Sequence, residues 1–267
     1  MINAKEIRQI EATFRTENIP APYKYQYKLT IDLNPDQIEA DDNTVVNYSL
    51  QYMDREDMDE DDIIEEGFTM NDDFEWNGKI PLVWIDELKK MLAETSWSMG
   101  HKKPPHDESS SLSLKITEAS GVIHENIPVN KDSWEYFLQE LIQAIYETCQ
   151  RESPLEVKYK EIDEKKNETL ILIKPFFSSR TLEINIKSEN QSWEKKNLSW
   201  NNLKPLLKSV YFPDYDYDYA LEKVPKKSGK YIDNGEGVWY EFGVGVKNPA
   251  SQTDSLQKLE QSLKELL

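Results

Sequence analysis

The sequence predicts an α+β protein with antiparallel sheets, made of strand pairs and a three-strand meander, and helices packed on one face. One possible arrangement of these elements is two similar α/β layers. Strand-like segments follow one another in twos and threes, which favours antiparallel sheets over a parallel, doubly wound sheet. The chain has 267 residues and 29 aromatic side chains, enough length and enough large side chains for an extensive core. A folded, soluble protein is therefore expected.

The chain is predicted to begin with a helix. Asn3 and Glu6 have the spacing of a capping box. Ile7, Ile10 and Phe14 follow at intervals that place them on one helical face. The proline-containing stretch "NIPAP" would then end this helix.

An antiparallel strand pair is predicted next. Residues 23–33 alternate apolar or aromatic side chains with polar ones, and residues 45–52 repeat the pattern. Each segment would therefore have one buried face, as in a sheet that is packed on one side only. Apolar side chains at helical spacing then predict a helix near residues 82–94.

The rest of the chain is predicted to contain a hairpin, three consecutive strands and several helices. Ser120 and Gly121 mark the turn of the hairpin, and Asp132 begins the most strongly patterned helix. The segment 169–177 is apolar on both faces, which favours a central position in its sheet. Further strands are expected at 155–159, 181–186 and 238–246, and further helices are expected to begin near Leu203 and Asp254.

Two domains are predicted, with one continuous domain as the alternative. The stretch "SMGHKKPPHDESSS" concentrates Gly, Pro and Ser between patterned segments, which is typical of a linker. It predicts an acidic N-terminal domain at 1–104, a linker at 105–111 and a C-terminal α+β domain at 112–267. A faint similarity between 79–92 and 126–141 is insufficient evidence for an internal repeat.

The formal net charge of −18 is concentrated in the first part of the chain. Residues 1–100 carry 9 basic and 23 acidic side chains, whereas the remainder carries 23 and 27. Such a surface repels nucleic-acid phosphates and anionic membranes, so neither is predicted as a partner. A basic protein would be attracted, with strong salt dependence. No apolar segment resembles a signal peptide or a membrane span, so cytoplasmic residence is expected.

The acidic run "DREDMDEDDIIEEGF" at 54–68 has part of the pattern of a calcium loop. Three aspartates have the one-three-five spacing of an EF-hand: Asp57, Asp59 and Asp61. The sixth position of such a loop needs Gly and the twelfth needs Glu, but these positions hold Asp62 and Phe68. No metal site is predicted here. Clustered carboxylates leave a looser divalent-cation site as an alternative.

A mobile, solvated loop is the main prediction for this run, because nine carboxylates in 54–66 repel one another. Ile63, Ile64 and Phe68 would dock it on the core. Contact with a basic partner through its charges is the second interpretation.

The segment "PDYDYDY" at 213–219 offers a second candidate surface. In an extended conformation its aspartates would face one way, and Tyr215, Tyr217 and Tyr219 would face the other. The ordinary interpretation is an edge strand whose tyrosines cover the sheet. The functional interpretation is a recognition surface, since Tyr is favoured at protein interfaces.

No catalytic residue and no cofactor is predicted. Cys149, the single cysteine, completes the apolar stripe of its helix and is expected to be a buried hydrophobe. His101 and His106 lie in the predicted linker, and His124 is expected to face solvent. None of them belongs to a recognisable nucleophile or metal-ligand motif. A pair of catalytic carboxylates remains open among fifty acidic residues.

The predicted function is a non-catalytic, acidic protein-interaction module that binds a basic partner, in the manner of an inhibitor or immunity-type protein. Its predicted partner-binding residues are Asp59, Glu60, Asp61, Asp62, Tyr215 and Tyr217. One alternative is an enzyme that depends on carboxylates or a divalent metal. A second alternative is a structural or assembly subunit whose acidity maintains solubility. The sequence does not predict an oligomeric state.

Overall fold

The structure, a computed structural model, describes residues 7–33, 43–98, 110–189 and 191–267. It divides into two compact units, Met1–Thr148 (unit 1) and Cys149–Leu267 (unit 2). Each unit is built on an antiparallel sheet and contains helices, which confirms the α+β class. No helix in the described ranges is long and apolar enough to cross a membrane.

Unit 1 contains a seven-stranded sheet in the order β4-β3-β2-β1-β6-β7-β5. All neighbouring strands in it are antiparallel. Its strands are β1 Ile7–Thr16, β2 Tyr25–Asp32, β3 Asn43–Tyr52, β4 Phe74–Pro81, β5 Trp97–Ser98, β6 Ser110–Glu118 and β7 Ile123–Pro128. Its helices are α1 Glu60–Glu65, α2 Val83–Glu94 and α3 Lys131–Thr148.

Unit 2 contains a six-stranded sheet in the order β11-β10-β9-β8-β13-β14, and a separate pair formed by β12 and β15. The strands are β8 Val157–Ile162, β9 Glu168–Phe176, β10 Thr181–Ser188, β11 Glu194–Leu198, β12 Asp214–Tyr215, β13 Gly229–Asp233, β14 Tyr240–Glu241 and β15 Val246–Lys247. The helices are α4 Leu203–Tyr211 and α5 Ser255–Lys264. The apolar segment expected at the centre of its sheet, β9, is an interior strand.

The two units share one strand order. In each, four strands form a meander, a helix follows the fourth strand, and the next long strand pairs with the free side of the first. Three of the four buried side chains of α2 have the same spacing as the three of α4: Ile85, Leu88 and Leu92 in α2, and Leu203, Leu206 and Val210 in α4. The similarity seen in the sequence joined two segments of unit 1, whereas the topology relates α2 to α4.

The predicted first helix is wrong, because Ile7–Thr16 is strand β1. The pairing of β1 with β6 shifts register between Ile7 and Gln9, so a β-bulge inserts one extra residue there. The bulge places Ile7 and Ile10 on the same buried face although they are three residues apart. A three-residue interval, which normally indicates a helix, is here produced by an irregular strand.

The predicted boundary at 105–111 does not coincide with the division between the units. Strand β1 lies before it in sequence and β6 begins within it, at Ser110, yet the two strands pair along most of their length. The division at residues 148 and 149 coincides instead with a change in charge. Residues 1–148 carry 13 basic and 31 acidic side chains, and residues 149–267 carry 19 of each. Unit 1 therefore holds the whole net charge.

Candidate functional site

The acidic segment, residues 54–66, has regular structure instead of the predicted mobile loop. A 3-10 turn at Arg55–Asp57 leads into α1. Ile63 in α1 is fully buried, whereas Ile64 is 56% exposed and does not dock as predicted. The ring of Phe68 packs edge-on against the rings of Tyr23 and Tyr52, so Phe68 docks as predicted.

Arg55 anchors this segment. Its guanidinium donates through Nε and Nη2 to the Pro22 carbonyl oxygen, at 3.0 and 2.9 Å. Nη1 donates to the Thr69 carbonyl oxygen at 2.6 Å and to Asp72 Oδ2 at 2.7 Å. The guanidinium also lies 3.7 Å from the ring centroid of Tyr52. One buried cation therefore joins the turn before β2, the acidic segment and the loop before β4.

Asp72 completes the anchor. Its carboxylate accepts hydrogen bonds from the Thr69 backbone N–H at 2.8 Å and from Thr69 Oγ1 at 2.7 Å. Burial acts to raise the pKa of Asp72, but the Thr69 hydrogen bonds and the Arg55 guanidinium outweigh it and lower that pKa below its usual value. The carboxylate is therefore charged at neutral pH.

Most carboxylates of the acidic segment are exposed and unneutralised. Asp54 pairs with Lys24, and Glu66 accepts a hydrogen bond from the Tyr23 hydroxyl. Among the described residues, no salt bridge joins the other seven to a cation: Glu56, Asp57, Asp59, Glu60, Asp61, Asp62 and Glu65. The predicted partner-binding residues Asp59, Glu60, Asp61 and Asp62 thus lie together, in and just before α1, with their side chains exposed.

The second predicted surface, in unit 2, does not have the alternating geometry that an extended chain would give. Tyr217–Tyr219 is a 3-10 helix, which Asp216 caps through its carboxylate. Tyr215 packs on Tyr240 with ring centroids 5.0 Å apart, and its hydroxyl donates to the Val210 carbonyl oxygen at 2.7 Å. Tyr215 is therefore part of the packing, while Tyr217 is 73% exposed.

An aromatic cleft in unit 1 was not predicted as a site. It has a volume of about 350 Å³ and lies between the buried faces of β1, β2 and β3 and the helix α3. Its strand side is lined by Phe14, Tyr25, Tyr27, Tyr48, Leu50 and Tyr52, and its helix side by Glu135, Gln139, Ile142, Gln143 and Tyr146. The alternation of tyrosines along β2 and β3 was visible in the sequence, but it was interpreted as core only.

The aromatic rings of the cleft form a continuous series. Phe14 stacks on Tyr27 with centroids 4.9 Å apart and an interplanar angle of 11°. Tyr48 lies edge-on to Tyr146, and their hydroxyls are 3.3 Å apart. Burial raises the pKa of Tyr25, Tyr27 and Tyr48 further above neutrality, so these phenols keep their protons.

The remaining candidates are metal-ligating and nucleophilic side chains in the part of the chain that the structure describes. No cluster of three or more His, Cys, Asp or Glu side chains there could hold a metal ion. Nε2 of His124 lies 3.0 Å from Glu118 Oε1, and Cys149 is half-buried just beyond α3. His101 and His106 lie outside the described residues.

Comparisons with known proteins do not identify the chain. No protein-family model matches it, and no curated protein matches it. One solved structure, described as a "putative AttH" from Nitrosomonas europaea, is 6% identical, with 86% of this chain and 78% of that chain covered. The TM-score of 0.16 is too low to support any structural or functional argument.

Proposed function

We propose that this protein is a non-catalytic binding protein of the cytoplasm that engages a basic protein through its acidic segment, in the manner of an inhibitor or immunity-type protein. The observation that carries the proposal is the set of seven exposed carboxylates, unpaired among the described residues, on a segment that Arg55 joins to the turn before β2 and the loop before β4.

Anchoring is what distinguishes this segment from an ordinary charged loop. A flexible acidic loop loses conformational entropy when it binds, whereas a segment with fixed backbone loses less. The buried Ile63 and the four hydrogen bonds of Arg55 hold α1 and the preceding turn in one conformation. Its carboxylates are then available to lysines and arginines of a partner without first breaking internal ion pairs.

The charge of unit 1 supports the choice of partner. Its excess of eighteen carboxylates over basic groups repels phosphates and anionic lipids and accelerates the approach of a basic protein. Binding of this kind weakens as salt screens the charges, over a Debye length of about 10 Å at 0.1 M.

The test compares the full-length protein with a variant in which Asp59, Asp61 and Asp62 become Asn and Glu60 becomes Gln. A matched control makes the same change in charge at four exposed acids elsewhere in unit 1: Asp86→Asn, Glu94→Gln, Glu125→Gln and Asp132→Asn. Each immobilised protein is incubated with extract of the source cells at about 50 and about 300 mM salt. Circular dichroism verifies that all three proteins are folded.

We expect the unaltered protein and the control to retain the same basic proteins at low salt and to release them at high salt. The segment variant should lose them at both salt concentrations. Equal capture by the segment variant would sink the proposal. Salt-independent capture, together with a rise in melting temperature on adding calcium, magnesium or manganese, would favour the metal-dependent alternative.

A further inference from the structure

The aromatic cleft of unit 1 has a deep aromatic side and a polar rim. Four of its strand residues are almost completely buried: Phe14, Tyr27, Tyr48 and Leu50. Tyr25, Tyr52 and Tyr146 are partly exposed, and Gln139 and Gln143 of α3 add amide groups. Its volume of about 350 Å³ falls at the lower end of the range for small-molecule sites.

Two hydroxyl groups of the cleft lack a partner in the described part of the chain. Tyr27 is 5% exposed, and no hydrogen bond of its hydroxyl to a described residue is present. The same is true of the Tyr25 hydroxyl. Both tyrosines line the cleft, and a polar group without a protein partner is normally satisfied by water or a ligand, so the two hydroxyls mark a place for one.

Glu135 is the one charged side chain among the described residues that line the cleft. Glu135 Oε1 accepts a hydrogen bond from Ser110 Oγ at 2.8 Å, and Oε2 is bonded to no described residue. Glu135 lines the same cleft as Tyr25 and Tyr27, and its charge adds to the effect of burial in raising the pKa of both phenols. Lys131 is the neighbouring cation: its Nζ lies 3.7 Å from Oε1 and donates to the Ser110 carbonyl oxygen.

The aromatic series already holds one guanidinium. Arg55 stacks over the ring of Tyr52, which also lines the cleft, and its centre lies 4.6 Å from the ring of Phe68. Cations are attracted to the faces of aromatic rings, most strongly where water is excluded. Rings, a carboxylate and unpaired hydroxyls together supply the contacts that an organic cation needs.

We propose that the aromatic cleft binds a guanidinium or primary ammonium group carried on an aliphatic chain. The cation lies against the tyrosine faces and pairs with Glu135 Oε2. The hydroxyls of Tyr25 and Tyr27 bind polar groups elsewhere on the same ligand, or a water molecule that enters with it. The group comes either from a free small molecule or from a side chain of a polypeptide. This inference concerns a different surface from the acidic segment and holds whether or not that segment binds a protein.

The experiment is a calorimetric titration of the full-length protein with n-butylguanidinium, and with n-butylurea as a neutral molecule of the same shape. We expect saturable binding of the cation and at least about tenfold weaker binding of the urea, since only the cation gains from the charge and the ring faces. Equal binding of both molecules, or no binding of the cation, overturns the proposal.

Two variants locate the site. Glu135→Gln keeps an oxygen that can accept from Ser110 but removes the charge, and it should weaken cation binding by about tenfold or more. Glu125→Gln makes the same change at an exposed position on β7 and should leave binding unchanged. Equal weakening by both variants would indicate general attraction to an acidic surface and would contradict the assignment to the cleft. Unchanged melting temperatures exclude unfolding as the cause.

Two further ligands identify the source of the cation. Agmatine represents a free small molecule, and an acetylated, amidated tripeptide Gly-Arg-Gly represents a protein side chain. Tighter binding of agmatine than of the tripeptide assigns the cleft to a metabolite, and the reverse order assigns it to a polypeptide. The variant with four amides in the acidic segment is titrated in parallel. Its unchanged affinity for n-butylguanidinium would separate this site from the proposed function.

Discussion

Arg55 shows how a single residue can determine the structure of a charged segment. It is the one basic side chain among nine carboxylates at 54–66, so its presence is conspicuous in the sequence. The role of Arg55 is not visible in the sequence, because two of its acceptors are the backbone carbonyl oxygens of Pro22 and Thr69, which no side-chain pattern reveals. The sequence therefore allowed the exposed carboxylates to be predicted and concealed the anchor that orders them.

Replacing Arg55 by Ala should lower the free energy of unfolding of unit 1 by about 3 kcal/mol, because it leaves Asp72 without its cation and the Pro22 and Thr69 carbonyl groups without the guanidinium donors. Urea unfolding followed by tryptophan fluorescence measures the change. Arg15→Ala, at an exposed position on β1, should have an effect within about 0.5 kcal/mol.

Arg55→Lys separates charge from geometry. Lysine keeps the charge but has neither the planar donor group nor the stacking surface of arginine. We expect it to recover only a small part of the stability lost in Arg55→Ala. A lysine variant as stable as the unaltered protein would mean that the hydrogen-bond geometry described for Arg55 is unimportant.

At the scale of elements, regular segments were predictable and irregular ones were not. The strict alternation of 23–33 and 45–52 correctly predicted β2, β3 and their antiparallel pairing. In two places irregular backbone made the prediction from side-chain periodicity wrong. The bulge at Ile7 made β1 resemble a helix, and the segment 238–246 is not one strand, because a turn at Gly243 with φ of 77° separates β14 from β15. The prediction that helices cover one face of each sheet stays a prediction.

The short helix α1 provides a matched test of its own packing. Ile63 and Ile64 are adjacent residues of the same helix, so replacing either by Ala changes helix propensity equally. Ile63→Ala should lower the free energy of unfolding by about 2–4 kcal/mol, since the side chain is fully buried. Ile64→Ala should change it by less than about 0.5 kcal/mol. Thermal or urea unfolding gives both values, and equal losses would show that α1 does not pack as described.

At the scale of the whole molecule, composition predicted a boundary at 105–111, whereas contacts divide the chain between Thr148 and Cys149. Gly, Pro and Ser at 98–111 resemble a linker, but β1, which precedes that stretch, pairs with β6, which begins at Ser110. Contacts between residues distant in sequence decide which segments belong together, and local composition carries no information about them. The shared strand order of the units was equally hidden, because matching topologies do not require matching side chains.

Fragments test the division directly. Residues 1–148 and 149–267, expressed separately, should each fold, because each contains a complete sheet and its own core. Residues 1–104 should fail to fold, since β1 loses β6 and the sheet loses the side chains of α3. Dispersion of amide proton resonances in NMR spectra distinguishes the outcomes. A well-folded 1–104 fragment would restore the boundary predicted from composition.

The common strand order has a consequence for the meaning of the charge. Unit 2 builds this topology with equal numbers of acidic and basic groups, and unit 1 builds it with an excess of eighteen carboxylates. Mutual repulsion among the acidic side chains opposes compaction of unit 1. Because unit 2 has the same strand order and no net charge, the anionic character of unit 1 is not a requirement of this topology.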